Sequence, residues 1–186
     1  VKITNTRKLI EYWCRKEFSN LNDAYNAGVR VPKPVAFNRN ILVMEFISYK
    51  GASGVPAPLI KDAPPEDPEL AYLTIIKYIE RAFVLGKIIH ADLSEFNIVN
   101  TGDELVIIDW GSAVKANHPN AVEFLLRDIE NVNRYFDKEL HVEVLNSKAL
   151  LNALLRRYEH RDNAENDEDG WLLIGGKRII DEVANQ

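Results

Sequence analysis

Ile88-Ile-His-Ala-Asp-Leu-Ser-Glu-Phe-Asn-Ile-Val99, with Ile107-Ile-Asp-Trp-Gly111 shortly after it, is the stretch on which the reading of this chain turns. In both places polar residues interrupt or end a short run of strand formers. Thr101-Gly-Asp-Glu104, between Ile98-Val99 and Leu105–Ile108, predicts a hairpin turn. Asp92 and Asn97 share one loop, and the hairpin returns the chain to Asp109. Asn97 and Asp109 therefore fall at neighbouring strand ends, and three oxygen-bearing side chains converge on one place.

Such a convergence suits a nucleoside triphosphate, whose negative charges repel an attacking group. Mg2+ neutralises that charge, takes oxygen ligands, and is usually held by one or two carboxylates together with phosphate. Asn97 and Asp109 can supply those ligands. Asp92 is then left to orient a hydroxyl or water and accept its proton. This division of labour is the phosphoryl-transfer template of kinases: His-x-Asp, Asn five residues after the Asp, then Asp-x-Gly. Here it reads His90-Ala-Asp92, Asn97 and Asp109-Trp-Gly111. His90 reads as a hydrogen-bonding residue that shapes the loop rather than as a base, and Gly111 as a backbone-permissive residue.

Upstream, residues from about Asn5 to Ala27 predict a helix capped by Asn5 or Thr6, with Leu9, Trp13, Leu21 and Ala24 on one face and Gly28 as its stop. Glu17, in mid-helix, is the candidate partner for a phosphate-holding lysine, though it reads equally as a solvated charge. Lys2, in Val1-Lys-Ile3, is the candidate lysine or simply a terminal one. Val35–Phe37 and Ile41–Ile47 predict strands around an Asn38-Arg-Asn40 turn. A base would pack beside Met44, with the backbone from Glu45 to Ile47 offering hydrogen bonds. Met44 also serves as ordinary core filling.

Downstream, the Gly- and Pro-rich segment from Lys50 to Pro68 predicts a loop. Helices are expected over about Pro68–Leu85, Asn120–Phe136 and Ser147–Arg161. In the first, Leu70, Leu73, Ile76, Ile79, Phe83 and Val84 form the apolar side. The polar residues Asn163–Gly170 predict a loop, and Ile174–Ile179 either a hairpin or the start of a last short helix.

The 186 residues carry 23 Lys and Arg against 28 Asp and Glu, a formal charge of −5, which argues against a globally basic nucleic-acid binder. The hydrophobic share of 46% is that of a globular protein rather than a disordered one. Cys14 is the only cysteine, so an internal disulfide or cysteine-cluster metal site is excluded, and a reducing compartment fits. No apolar run approaches the roughly 18 residues of a membrane span, and the start does not read as a signal peptide. The chain opens with Val1 and its only methionine is Met44, so a fragment or processed chain is expected.

With these residues in hand, the chain resembles the RIO atypical protein kinases. His90–Asn97, His-Ala-Asp-Leu-Ser-Glu-Phe-Asn, is similar to that family's signature. Trp13–Leu21 is similar to its glutamate-bearing helix, Leu42–Ile47 with Pro56–Leu59 to its hinge and following loop, and His118–Asn133 to the segment after its metal aspartate. The last is closer to the branch that lacks a winged-helix domain. The resemblance covers about Glu11 to Phe136. It implies Asp92 as catalytic aspartate, Asn97 and Asp109 as metal ligands, and Glu17 as partner of the phosphate-contacting lysine. Ser94, where ordinary protein kinases usually carry lysine, is a trait of this family. The resemblance further implies ATP with Mg2+ (Mn2+ can stand in), serine phosphorylation or an ATPase passing phosphate through Asp109, and a role in maturation of the small ribosomal subunit in the cytoplasm. With a short link from Gly111 to the Asn120 helix and no Ala-Pro-Glu motif there, a peptide-docking activation segment is not expected.

The expected fold is therefore α+β, a kinase-like pair of lobes, with residues 1–47 as an incomplete N-terminal lobe and 48–186 as the C-terminal lobe. Two other readings stay open. Aminoglycoside and choline phosphotransferases share His-x-Asp and Ile-Asp-Trp, but usually place a histidine where this chain has Ser94. A non-enzymatic, ribosome- or protein-binding module of kinase shape is the other.

Overall fold

A computed structural model describes residues 6–184. Lys2, the candidate phosphate-holding lysine, and Asn5, a candidate helix cap, lie outside the described residues. The first element is helix α1 (Thr6–Asn26), followed by the antiparallel pair β1 (Pro34–Asn38) and β2 (Ile41–Met44) around a turn in which Arg39 takes a positive φ. A long connection leads to α2 (Pro68–Val84). Four short strands come next: β3 (Ile88–Ile89), β4 (Ile98–Asn100), β5 (Leu105–Ile107) and β6 (Val114–Lys115). Helices α3 (Ala121–Lys138) and α4 (Ser147–Glu159) then close the core. A single 3-10 turn, the small ladder β7 (Glu165–Asn166) with β8 (Leu172–Leu173), and α5 (Ile179–Ala184) finish the chain.

Helix α2 runs through the centre because its sequence allows burial on nearly every side. Ala71, Tyr72, Ile75, Ile76, Ile79, Ala82, Phe83 and Val84 are all buried. Its start is set by Asp67, whose side chain accepts from Leu70 N at 3.0 Å, followed by Pro68, which gives up no needed N–H at the first helical position. Its end meets the end of α1 so closely that only Gly86 fits. A Cβ there would lie 2.8 Å from Ala82 O and 3.2 Å from Asp23 O. The connection before α2 is irregular but pinned, with Ile60 N donating to Ile98 O and Asn100 N to Pro58 O, so it lies along β4.

Three expectations are corrected. Trp13 does not share the buried face of α1; it is 57% exposed, and the buried positions are Cys14, Asn20, Leu21 and Ala24. Leu70 is 61% exposed, because the first turn of α2 projects beyond its neighbours. The polar stretch 163–170 is not all loop: Glu165 and Asn166 pair with Leu173 and Leu172. Ile174–Ile179 provides both expected forms, an Ile174–Lys177 bridge and then α5.

The C-terminal segment is held by a buried charge cluster. Arg157, only 1% exposed, donates from Nε to Glu80 at 2.5 Å and from Nη2 to Leu172 O at 2.6 Å. Its Nη1 reaches Glu182 and Lys177 O, tying α2, α4, β8 and α5 together. Removing one partner of a buried pair strands the other without water, which costs about 3–5 kcal/mol, whereas replacing both by apolar groups is often neutral. Arg157→Ala is therefore expected to lower unfolding free energy by about that amount in urea titration. The double change Arg157→Met with Glu80→Met should restore most of the loss.

Candidate active site

Two loops carry the candidate residues, and each is clamped at both ends. The loop 90–97 leaves β3 and enters β4, while the loop 108–113 leaves β5 and enters β6. β3 ladders with β6, Ile89 opposite Val114, and β4 with β5, Ile98 opposite Ile107. The two loops thus lie side by side, and Ile108 N donates to Asn97 O at 2.9 Å. The expected hairpin is present, with Asn97 and Asp109 at its neighbouring ends. Asp92 and Asp109 are exposed. Asn97 is buried, and its Nδ2 donates to Asp92 O at 2.5 Å, while among the described residues its Oδ1 takes no hydrogen bond.

The backbone is bent out of its comfortable range at two points. Ala91 and Asp109 have φ of 66° and 61°, in the left-handed region that non-glycine residues rarely enter. Such conformations cost about 1–3 kcal/mol each and persist only where surrounding structure enforces them. Helix α3 does the enforcing at Ala91. Asp128 accepts from Ala91 N at 2.8 Å and from Leu93 N at 3.0 Å. Arg127 donates to Ala91 O, Asn131 to Leu93 O, and Arg134 to both oxygens of Glu95. Residues 127, 128, 131 and 134 fall on one side of the helix, so a single rigid face grips the loop from 91 to 95. Asp92 has its backbone held on both sides and its carboxylate free. Burial pushes the Asp128 carboxyl up to about 7, against the lowering effect of the two amides and of Arg127.

The loop 108–113 is held from beneath and from the side. His90 is buried, and its Nε2–H donates to Ile108 O at 2.9 Å. Burial lowers its pKa, so the ring is neutral, and among the described residues its Nδ1 has no partner. It props the loop from inside and is not placed to take a proton from a substrate. Trp110 packs edge-on to it at 4.8 Å and anchors through Nε1 to Ile107 O. From α1, Asn20 Nδ2 donates to Trp110 O and Ala113 O, and Lys16 Nζ to Gly111 O. Glu17, on the same helix, faces the site: its carboxylate and Asp109 Oδ1 both lie 3.7 Å from where a Cβ on Gly111 would stand. Burial, and after it the Asp109 charge, hold the Glu17 carboxyl above its ordinary range.

Met44 ends β2 and is partly exposed beside the Glu45–Ile47 stretch. Glu45 N donates to Lys33 O, and Ile47 O accepts from Ala57 N. Among the described residues nothing engages Glu45 O or Ile47 N, which offers one acceptor and one donor two residues apart. The Glu45 side chain is turned away from them onto Arg30, whose guanidinium holds its carboxyl below the usual range.

The donor set fits Mg2+. Among the described residues no cluster of three His, Cys, Asp or Glu could cage a metal. Asn97 and Asp109 instead give two hard oxygen donors on an open face, which suits an ion that takes its remaining ligands from phosphate and water. Sequence reading missed Asp128, Asn20 and Arg30. The first two were detectable as polar residues within buried helical stripes, at Leu125-x-x-Asp128-Ile129 and Asn20-Leu21. Arg30 left no local signal.

The RIO domain family model matches residues 1–149. The RIO-type serine/threonine-protein kinase Rio1 of Haloferax volcanii is 44% identical over 132 residues, which are 71% of this chain and 44% of that protein. Serine/threonine-protein kinase RIO1 of Saccharomyces cerevisiae is 40% identical over 138 residues, 72% of this chain and 28% of that protein. The chain thus spans less than half the length of these curated relatives. Among solved structures, the Rio2 kinase from Chaetomium thermophilum matches with a TM-score of 0.63 at 26% identity, covering 78% of this chain and 46% of that one. Its ADP/Mg2+-phosphoaspartate complex matches with a TM-score of 0.56, covering 81% of this chain and 50% of that one. The fold is accordingly the α+β, kinase-like fold of these neighbours, and the chain belongs to the RIO family.

Proposed function

We propose that this chain carries the phosphoryl-transfer centre of a RIO-type serine/threonine kinase or ATPase that uses ATP with Mg2+. The observation that supports this best is the Asp92 carboxylate, free and exposed while hydrogen bonds to α3 fix the backbone on both sides of it. Fixed placement of a catalytic group is worth several kcal/mol of barrier, and here it is built before any substrate arrives. In this reading Asp92 accepts the proton of the attacking hydroxyl or water. Asn97 Oδ1 and Asp109 would hold Mg2+, which when bound would neutralise charge on the phosphate oxygens. Glu45 O and Ile47 N receive the base beside Met44. Glu17 pairs with the phosphate-contacting lysine, for which Lys2 is the proposed residue. The related complex described as ADP/Mg2+-phosphoaspartate supports a variant in which an aspartate, here assigned as Asp109, takes the phosphoryl group before water does. On the family likeness alone we extend the reading to action on a small-ribosomal-subunit precursor in the cytoplasm. Co-sedimentation with precursor particles, lost on salt washing only when nucleotide is hydrolysed, would support that extension.

Incubation with γ-labelled ATP and Mg2+, followed by separation of protein from free phosphate, tests the central reading. Asp109→Ala is expected to abolish Mg-dependent turnover with an unchanged melting temperature. Turnover surviving that change would remove Asp109 from the metal site. Asp92→Ala should lower turnover by roughly 10²–10⁴-fold, as for loss of a general base, and a near-neutral result would make Asp92 structural.

Asp128 acts through the loop it holds. Asp128→Asn keeps the shape but turns an N–H donor towards a backbone N–H, and turnover should fall by about tenfold or more with little change in nucleotide affinity. Its pH signature has a definite sign. The folded carboxyl keeps its proton up to about 7, whereas the unfolded one releases it near 3.8. The folded state therefore binds more protons between those values, and this group's contribution to stability declines as pH rises through that window. Urea titrations from pH 4 to 8 should show wild type losing stability relative to Asp128→Asn up to about pH 7 and no further change above it.

A further inference from the structure

One residue, through its side chain and its backbone carbonyl, links the two ends of the proposed nucleotide site. Arg30 lies between Val29 and Val31, both buried, in the stretch that joins α1 to β1. Its carbonyl accepts from Ile107 N at 2.9 Å, two residues before Asp109. Its Nε donates to Glu104, at the turn leading into β5, at 2.6 Å. Its Nη1 and Nη2 form a fork on Glu45, at 2.8 and 3.0 Å, and Nη1 also reaches Val31 O at 2.9 Å. The Glu45 carboxylate takes a third bond from Lys33 N at 3.0 Å. With both oxygens engaged, it has no reach towards a ligand.

The consequence is geometric. The base-binding backbone, Glu45 O and Ile47 N, belongs to the strand pair at the amino-terminal end of the fold. The metal-binding carboxylate, Asp109, sits at the end of β5. The covalent path between them runs over sixty residues, but through Arg30 it runs through one residue: Glu45 to guanidinium to backbone carbonyl to Ile107. A planar guanidinium holding one carboxylate in a two-bond fork and another through Nε fixes angle as well as distance, which a single point charge cannot do. We propose that Arg30 is a positioning residue that sets the separation between the base-binding backbone at Glu45–Ile47 and the metal-binding end of β5 at Asp109. The inference rests on the nucleotide reading above.

A strap of this kind has a distinctive thermodynamic signature. A ligand that touches both ends gains from their fixed spacing, as two linked binding events gain from effective concentration. A ligand that touches one end gains nothing from it. Adenosine, inorganic Mg·tripolyphosphate and a non-hydrolysable Mg·ATP analogue should therefore be titrated by calorimetry into wild type, Arg30→Met and Glu104→Gln. In Arg30→Met the analogue should bind roughly tenfold more weakly, within the range of coupling between contacting groups, while each fragment changes by less than about twofold. Glu104→Gln, at an exposed turn, removes the charge that holds Arg30 Nε and should weaken the analogue by about threefold, in the range of an exposed ion pair, and leave both fragments unchanged; it decides the matter if thermal melting shows that Arg30→Met does not fold. Analogue affinity within about twofold of wild type in the folded variants would overturn the proposal. So would an equal loss for adenosine alone, which would make Arg30 a local prop of the base pocket. Failure of wild type to bind the analogue at all would instead overturn the nucleotide reading itself.

Discussion

The carboxylate of Asp128 accepting two backbone N–H groups of the 90–97 loop is the constraint on which the rest of the site depends. A tight loop with a left-handed alanine and an exposed aspartate has no regular ladder to satisfy its amides. Left in water, it would sample many shapes. A helix whose buried stripe contains one acidic residue gives those amides a fixed acceptor, and neighbouring Arg127, Asn131 and Arg134 on that helix complete the grip. The cost is a carboxyl buried deeply enough to favour its proton near neutrality. The return is a free Asp92 carboxylate that does not need to be ordered when a substrate arrives.

The same logic recurs elsewhere in the molecule. Polar side chains from helices hold irregular backbone wherever strands are too short to do it. Asn20 and Lys16 of α1 hold the loop after Asp109, and Arg157 of α4 gathers β8 and the segment before α5. Among the described residues every ladder has only two strands, and several have two or three residues per strand. Such ladders are marginal by themselves. Side-chain to backbone bonds from rigid helices replace what a wide sheet would supply, and two of the loops so held carry the candidate residues.

Much of the architecture was legible because period and punctuation are local. The helices over 6–26, 68–84, 121–138 and 147–159 show in their apolar spacing, and the hairpin turns at Asn38–Asn40 and Thr101–Glu104 show in their turn residues. Spacing within the hairpin was enough to place Asn97 beside Asp109. Local pattern failed where exposure depends on what lies opposite: Trp13 and Leu70 fit their helical stripes by period, but no neighbour covers them. The residue pair at 165–166 forms a ladder in a segment that Lys77 and Arg81 hold against α2, through Asp169 O, Asn166 Oδ1 and Gly170 O, a long-range effect that composition cannot show.

What the amino-acid sequence determined by itself was the identity and order of the candidate groups. Asn97 and Asp109 flank one hairpin, so strand register brings them to neighbouring ends, with Asp92 in the loop that leads into it. What only tertiary structure decided was how those groups are held and aimed. Asp128 lies 36 residues from Asp92, and Arg30 lies 15 from Glu45 and 74 from Glu104, so no short-range rule connects them. Their roles exist only once α3 and the segment after α1 are packed against the loops, because a hydrogen bond reads distance in space and not separation along the chain.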